Sequence, residues 1–178
     1  MSPTAVPREI TATIVFSLAG LAGLAFAPHV WTAKAPNTLF YAVLVLNTYF
    51  SVRFFDALPP KERDERVIDG VLALLYVALA AAIGAPVLFA AIATLLFVAA
   101  VAKYWLLLAI MPRPALLKRK MAIDAAGGVL CVATLAGALL IRPLASAWAQ
   151  AIVFAIANVY LLAIRPMYVD REAIVRGR

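Results

Sequence analysis

Apolar runs of roughly twenty residues recur along the whole chain, and each is long enough to cross a hydrocarbon core about 30 Å thick. Lipid offers backbone polar groups no partner, so segments of this kind satisfy themselves as helices. The expected fold class is therefore all-α: a polytopic membrane protein with six transmembrane helices. The spans read as Ile10–Ala27, Thr38–Ala57, Val67–Ile83, Pro86–Met111, Ala122–Ile141 and Ser146–Ile164. Of the 178 residues 66% are hydrophobic and 14% charged, against about 45–50% and 25% in a soluble domain. Six spans leave only short connections, so residues 1–178 read as one transmembrane domain with no soluble domain. There is no GxxxxGK[ST] loop to hold a nucleotide. Uphill movement of a solute would have to draw on an ion gradient or another subunit.

The first span has some features of a signal peptide, with Arg8 before it and "AFA" at Ala25–Ala27. It is longer than the usual apolar region of roughly 7–15 residues, and Pro28 follows at once. A retained helix is expected.

Charge gives an orientation. With six spans, thirteen of the sixteen basic residues fall on one side, Lys34 and Arg142 on the other, and Lys103 within the fourth span. The positive-inside rule then puts both termini in the cytoplasm, with a plasma or inner membrane as the location. Trp31 and Trp148 fall at the opposite interface, where amphipathic rings are favoured. The net charge of +7 is spread over short juxtamembrane loops, which opposes nucleic-acid binding and suits the bilayer surface. The charge is mainly a topology signal that holds helix ends in the cytoplasm; the alternative is attraction to anionic lipid headgroups, at about 1 kcal/mol per basic residue near the surface. "RPALLKRK", Arg113–Lys120, is the densest cluster.

The chain also resembles itself. Ile68-Asp69 aligns with Ile123-Asp124 at an offset of 55, which also pairs Tyr49 with Tyr104 and Pro59 with Pro114. "LLAIMP" at Leu107–Pro112 recurs as "LLAIRP" at Leu161–Pro166, and "NTY" at Asn47–Tyr49 as "NVY" at Asn158–Tyr160. The unit is an outgoing helix, a short turn and a returning helix. Three tandem hairpins are expected, over 8–58, 66–112 and 120–166, with pseudo-threefold symmetry about the membrane normal.

Polar residues inside spans are expensive and point to cavities or partners. Asn47 lies about ten residues into its span, roughly 15 Å deep at 1.5 Å per residue, and Asn158 is its repeat mate. Each amide serves either as interhelical glue or as a substrate contact. Lys103 and Arg53 lie towards the cytoplasmic ends of their spans, where they either snorkel or line a cavity. Asp69 and Asp124 sit just inside theirs, with Arg66 three residues before the one and Lys120 four before the other. They read either as local ion pairs or as carboxylates facing a cytoplasmic vestibule. At 100° per residue Asn47 and Ser51 share one face of the second span. Tyr49, Arg53 and Asp56 form a secondary polar face pointing nearly the opposite way.

Catalytic signals are poor. One histidine, His29, and one cysteine, Cys131, exclude a Cys/His metal cluster and two-histidine haem ligation. No cofactor is implied. The Asp residues lack the glycine-flanked G-x-G-D context of intramembrane proteolysis, and no GxSxG motif occurs. The small-residue runs "SLAGLAGLAFA" and "AIDAAGG" suit close helix packing, within the chain or against a partner.

Two functions fit these residues. The first is a small transporter or channel for an ion or small polar solute, its pathway lined by Asn47, Lys103 and Asn158, with Asp69 and Asp124 at the mouth. The alternative is a non-catalytic membrane subunit, such as an accessory, assembly or substrate-capture component, that binds a partner membrane protein or a second copy of itself.

Overall fold

The computed structural model describes residues 6–27, 31–55, 63–108 and 114–164. These form six α-helices: α1 (Arg8–Phe26), α2 (Trp31–Phe55), α3 (Arg63–Ala81), α4 (Pro86–Leu107), α5 (Pro114–Leu140) and α6 (Pro143–Val159). A π-helical turn, Tyr160–Ile164, continues α6. Proline opens α4, α5 and α6, where its missing N–H costs no helical hydrogen bond. Pro7 immediately precedes α1, and its carbonyl accepts the N–H groups of Ile10 and Thr11.

Four stretches combine the length and hydropathy needed to cross a bilayer: Arg8–Phe26, Pro86–Leu107, Leu117–Leu140 and Pro143–Ile164. They are compatible with an integral membrane protein. Helices α2 and α3 are more polar; α2 carries Lys34, Asn37, Asn47 and Arg53, and α3 opens on Arg63-Asp64-Glu65-Arg66.

Helix α2 begins seven residues before its expected start at Thr38. Its polar first turns find partners that the sequence does not display. Lys34 is buried and donates to the carbonyls of Leu24 and Ala27 at the end of α1, both at 3.4 Å. Asn37 donates to the Ile83 carbonyl at 2.9 Å, beyond the end of α3. Helix α5 likewise extends two turns before Ala122 and carries Lys118, Arg119 and Lys120 on helical backbone.

Each helix packs on its hairpin partner, α1 on α2, α3 on α4 and α5 on α6. Helices α2, α4 and α6 also contact one another, and α1 touches α3. The α4–α5 contact is the most extensive of all, so the seams between hairpins are unequal. Aromatic rings fill the middle of α2, α4 and α6. Phe40 stacks on Phe154 with centroids 4.2 Å apart and meets Phe89 edge-on at 5.6 Å, while Phe97 meets Phe154 at 6.0 Å. Large apolar side chains such as Leu18, Leu74, Val129 and Leu140 point outward.

Lipid tails are as apolar as leucine, so close packing rather than the hydrophobic effect holds such helices together. Glycine permits that closeness at two seams. A Cβ on Gly23 of α1 would lie 2.0 Å from the Ala80 carbonyl oxygen of α3. A Cβ on Gly127 of α5 would lie 2.7 Å from the Phe97 ring of α4. Both small-residue runs therefore contribute to packing within the chain.

Candidate functional site

The end of the bundle where α1, α3 and α5 begin and α2 and α4 finish encloses a cavity of about 270 Å³. Each helix contributes because of its phase. Asn47, Thr48 and Ser51 turn one face of α2 inward. Asp69 and Tyr76, seven residues and two turns apart on α3, line it together. Helix α4 supplies Lys103 and Tyr104, α5 supplies Lys120 and Asp124, and α1 supplies Arg8.

Two ion pairs face this space. Lys103 Nζ of α4 lies 2.6 Å from Asp69 Oδ1 of α3. Lys120 Nζ lies 2.6 Å from Asp124 Oδ1 one turn along α5, both side chains buried. The Lys120 ammonium also sits 5.7 Å from the Tyr104 ring centroid, within reach of a cation–π attraction. In the same wall, the Thr48 and Tyr76 hydroxyls share a hydrogen bond, and the Tyr76 ring stacks on Phe16 of α1 at 4.4 Å. Every polar side chain here needs such a partner, because an unpaired group in a low-dielectric interior is costly. Among the described residues, no buried side-chain nitrogen or oxygen lacks one.

A second cavity of about 330 Å³ lies beside the first, mainly between α5 and α6. Asn47, Phe97, Lys120 and Asp124 line both. The rest of the second wall is mostly apolar, with Ile123, Leu130, Val153, Phe154 and Leu161. Asn158 belongs to this second cavity and donates back along α6 to the Phe154 carbonyl at 2.9 Å.

Four of the five residues singled out in the sequence, Asn47, Lys103, Asp69 and Asp124, thus line the first cavity. Asn158 joins Asn47 and Asp124 in the second. On α2, Ser51 accompanies Asn47, whereas Tyr49 and Arg53 line neither cavity. Tyr49 packs edge-on against Phe50, and Arg53 is exposed. Asp56 and His29 lie outside the described residues.

Asp69 forms an ion pair with Lys103 of α4, a contact between two helices beyond the local pairing considered from sequence. Asp124 does pair with Lys120, as the i,i+4 spacing suggests. Arg8, Thr48, Tyr76 and Tyr104 join the cavity without having been singled out as site residues. The seven-residue spacing from Asp69 was the available signal for Tyr76. Cys131, at the same spacing from Asp124, lines neither cavity; it is buried and accepts a 3.0 Å contact from the Gln150 amide of α6. No group of three His, Cys, Asp or Glu among the described residues could hold a metal ion.

Comparison with protein-family models, curated proteins and solved structures gives no match. The functional reading rests on the chemistry of this chain's own cavities.

Proposed function

We propose that this protein is a small membrane transporter or channel for an ion or small polar solute. The observation that carries the reading is the convergence of Asn47, Asp69, Lys103 and Asp124, from four different helices, on one cavity. Ionisable groups inside membrane helices are costly and tend to mark ion or substrate routes. Both signs of charge are present, so the cavity can contact a solute through donors and through carboxylate oxygens. In this reading all six helices cross the bilayer, both termini are cytoplasmic, and the cavity opens to the cytoplasm of a plasma or inner membrane. The three hairpins are repeats, with mutual contact of α2, α4 and α6 supporting a common inner ring and the unequal outer seams marking divergence from symmetry.

The test is flux in liposomes holding the purified full-length chain. Proton flux is read with a trapped pH dye and monovalent-cation flux with an ion-selective electrode. Flux above that of protein-free liposomes is expected, falling by about tenfold in Asn47→Leu and in Asp69→Asn. Unchanged flux in both variants would sink the site assignment. No flux, together with a stoichiometric membrane partner retained in mild detergent, would favour the accessory-subunit function instead.

A further inference from the structure

The second cavity differs in character from the first. Its inner end carries Lys120, Asp124, Asn47 and Asn158, and the remainder is apolar. It reaches the outer surface of the bundle, because Ala126 of α5, Val153 and Ala157 of α6 and Tyr160 of the π-helical turn line it while being exposed. That surface is the one turned towards lipid when α5 and α6 cross the bilayer.

Three observations specify an occupant. The apolar part runs along α5 from Ile123 to Leu130 and along α6 from Leu161 back to Val153, away from the charged start of α5 and towards the middle of both helices. The charged end adjoins Lys118 and Arg119, which are exposed and directly precede Lys120. These two exposed cations suit an anionic headgroup at the membrane surface. The wall at Tyr160 and Leu161 belongs to the π-helical turn. Such turns are rare and are frequent at functional sites. A largely apolar cavity that reaches the outer surface, with two exposed cations just beyond one end, matches one acyl chain and its headgroup.

We propose that the α5–α6 cavity binds one acyl chain of an anionic phospholipid from the leaflet at which α5 begins, with the headgroup against the exposed Lys118 and Arg119. The chain lies between Leu130 and Val153, and the polar end sits level with Lys120. This site is independent of whether the neighbouring cavity conducts, and its test reads binding alone.

The full-length chain is reconstituted in phosphatidylcholine vesicles containing phosphatidylglycerol with a photoactivatable diazirine on one acyl chain. After illumination the labelled peptides are mapped by mass spectrometry. Labelling should concentrate within 123–130 and 153–161. Unlabelled phosphatidylglycerol should compete for it better than added phosphatidylcholine. Ala157→Trp places bulk in the slot at an exposed position and should lower labelling there by about fivefold. Ala133→Trp, exposed on α5 but outside the cavity, should leave it unchanged. The double variant Lys118→Gln/Arg119→Gln should lose the preference for phosphatidylglycerol while keeping the helical circular dichroism. Labelling spread over all exposed helix faces, or undiminished by Ala157→Trp, would overturn the site. Equal competition by the two unlabelled lipids would overturn its anionic character.

Discussion

Lys103 on α4 and Asp69 on α3 meet at 2.6 Å across a helix seam, at the edge of the polar cavity. Their side chains retain 15% and 29% of their exposure, so the pair is neither a solvated surface contact nor a sealed one. Removing one partner leaves a charge in a poor environment, whereas removing both does not. Lys103→Met should therefore destabilise the protein more than the double change Lys103→Met/Asp69→Leu. A double-mutant cycle on unfolding in detergent should give a coupling of about 1–2 kcal/mol. Additivity of the two changes would contradict a direct pair.

The Lys120–Asp124 pair is more deeply enclosed. Lys120→Met strands the buried Asp124 carboxylate and should cost about 3 kcal/mol. Lys118→Met, two residues earlier on nearly the opposite face of α5 and exposed, should cost less than about 0.5 kcal/mol. Unfolding midpoints of the two variants in one detergent make the comparison.

Gly23 and Gly70 offer opposite outcomes from the same kind of substitution. Nothing lies within 4 Å of a Cβ on Gly70, which is exposed, so Gly70→Ala should stabilise α3 by up to about 1 kcal/mol. Gly23→Val drives a branched side chain into the Ala80 carbonyl and should separate α1 from α3. A disulfide-trapping assay between cysteines placed on α1 and α3 should then lose its cross-link.

Tyr76 separates a hydroxyl contribution from a ring contribution. Tyr76→Phe removes only the bond with Thr48 and should cost about 0.6 kcal/mol, the average for hydrogen bonds between membrane helices. Tyr76→Ala also removes the stack on Phe16 and leaves a void, and should cost about 3 kcal/mol or more. Similar losses in the two variants would mean that the ring contributes little.

What the sequence disclosed follows the range over which each interaction acts. Lys120–Asp124 is legible because it lies within one turn of one helix. The shared inward face of Asn47 and Ser51 follows from helical phase, and so does the outward placing of Arg53. The contact of Asp69 with Lys103 was not legible, because Lys103 reaches it through helix packing from a different helix. The same limit hid the early start of α2. Lys34 and Asn37 look like loop residues until the carbonyls of Leu24, Ala27 and Ile83 are placed beside them. Gln150 passed unnoticed in α6, although an amide in an apolar run was the signal that picked out Asn47 and Asn158.

The stack of Phe40 on Phe154 joins the first hairpin to the last. During synthesis, Phe40 is made long before its partner exists. Until α6 is made, the Phe40 ring lacks the Phe154 face on which it stacks in the closed bundle. Closure of the bundle is therefore a late event in the life of the nascent chain. A ribosome stalled before α6 would hold five helices whose second cavity has lost one of its two main walls.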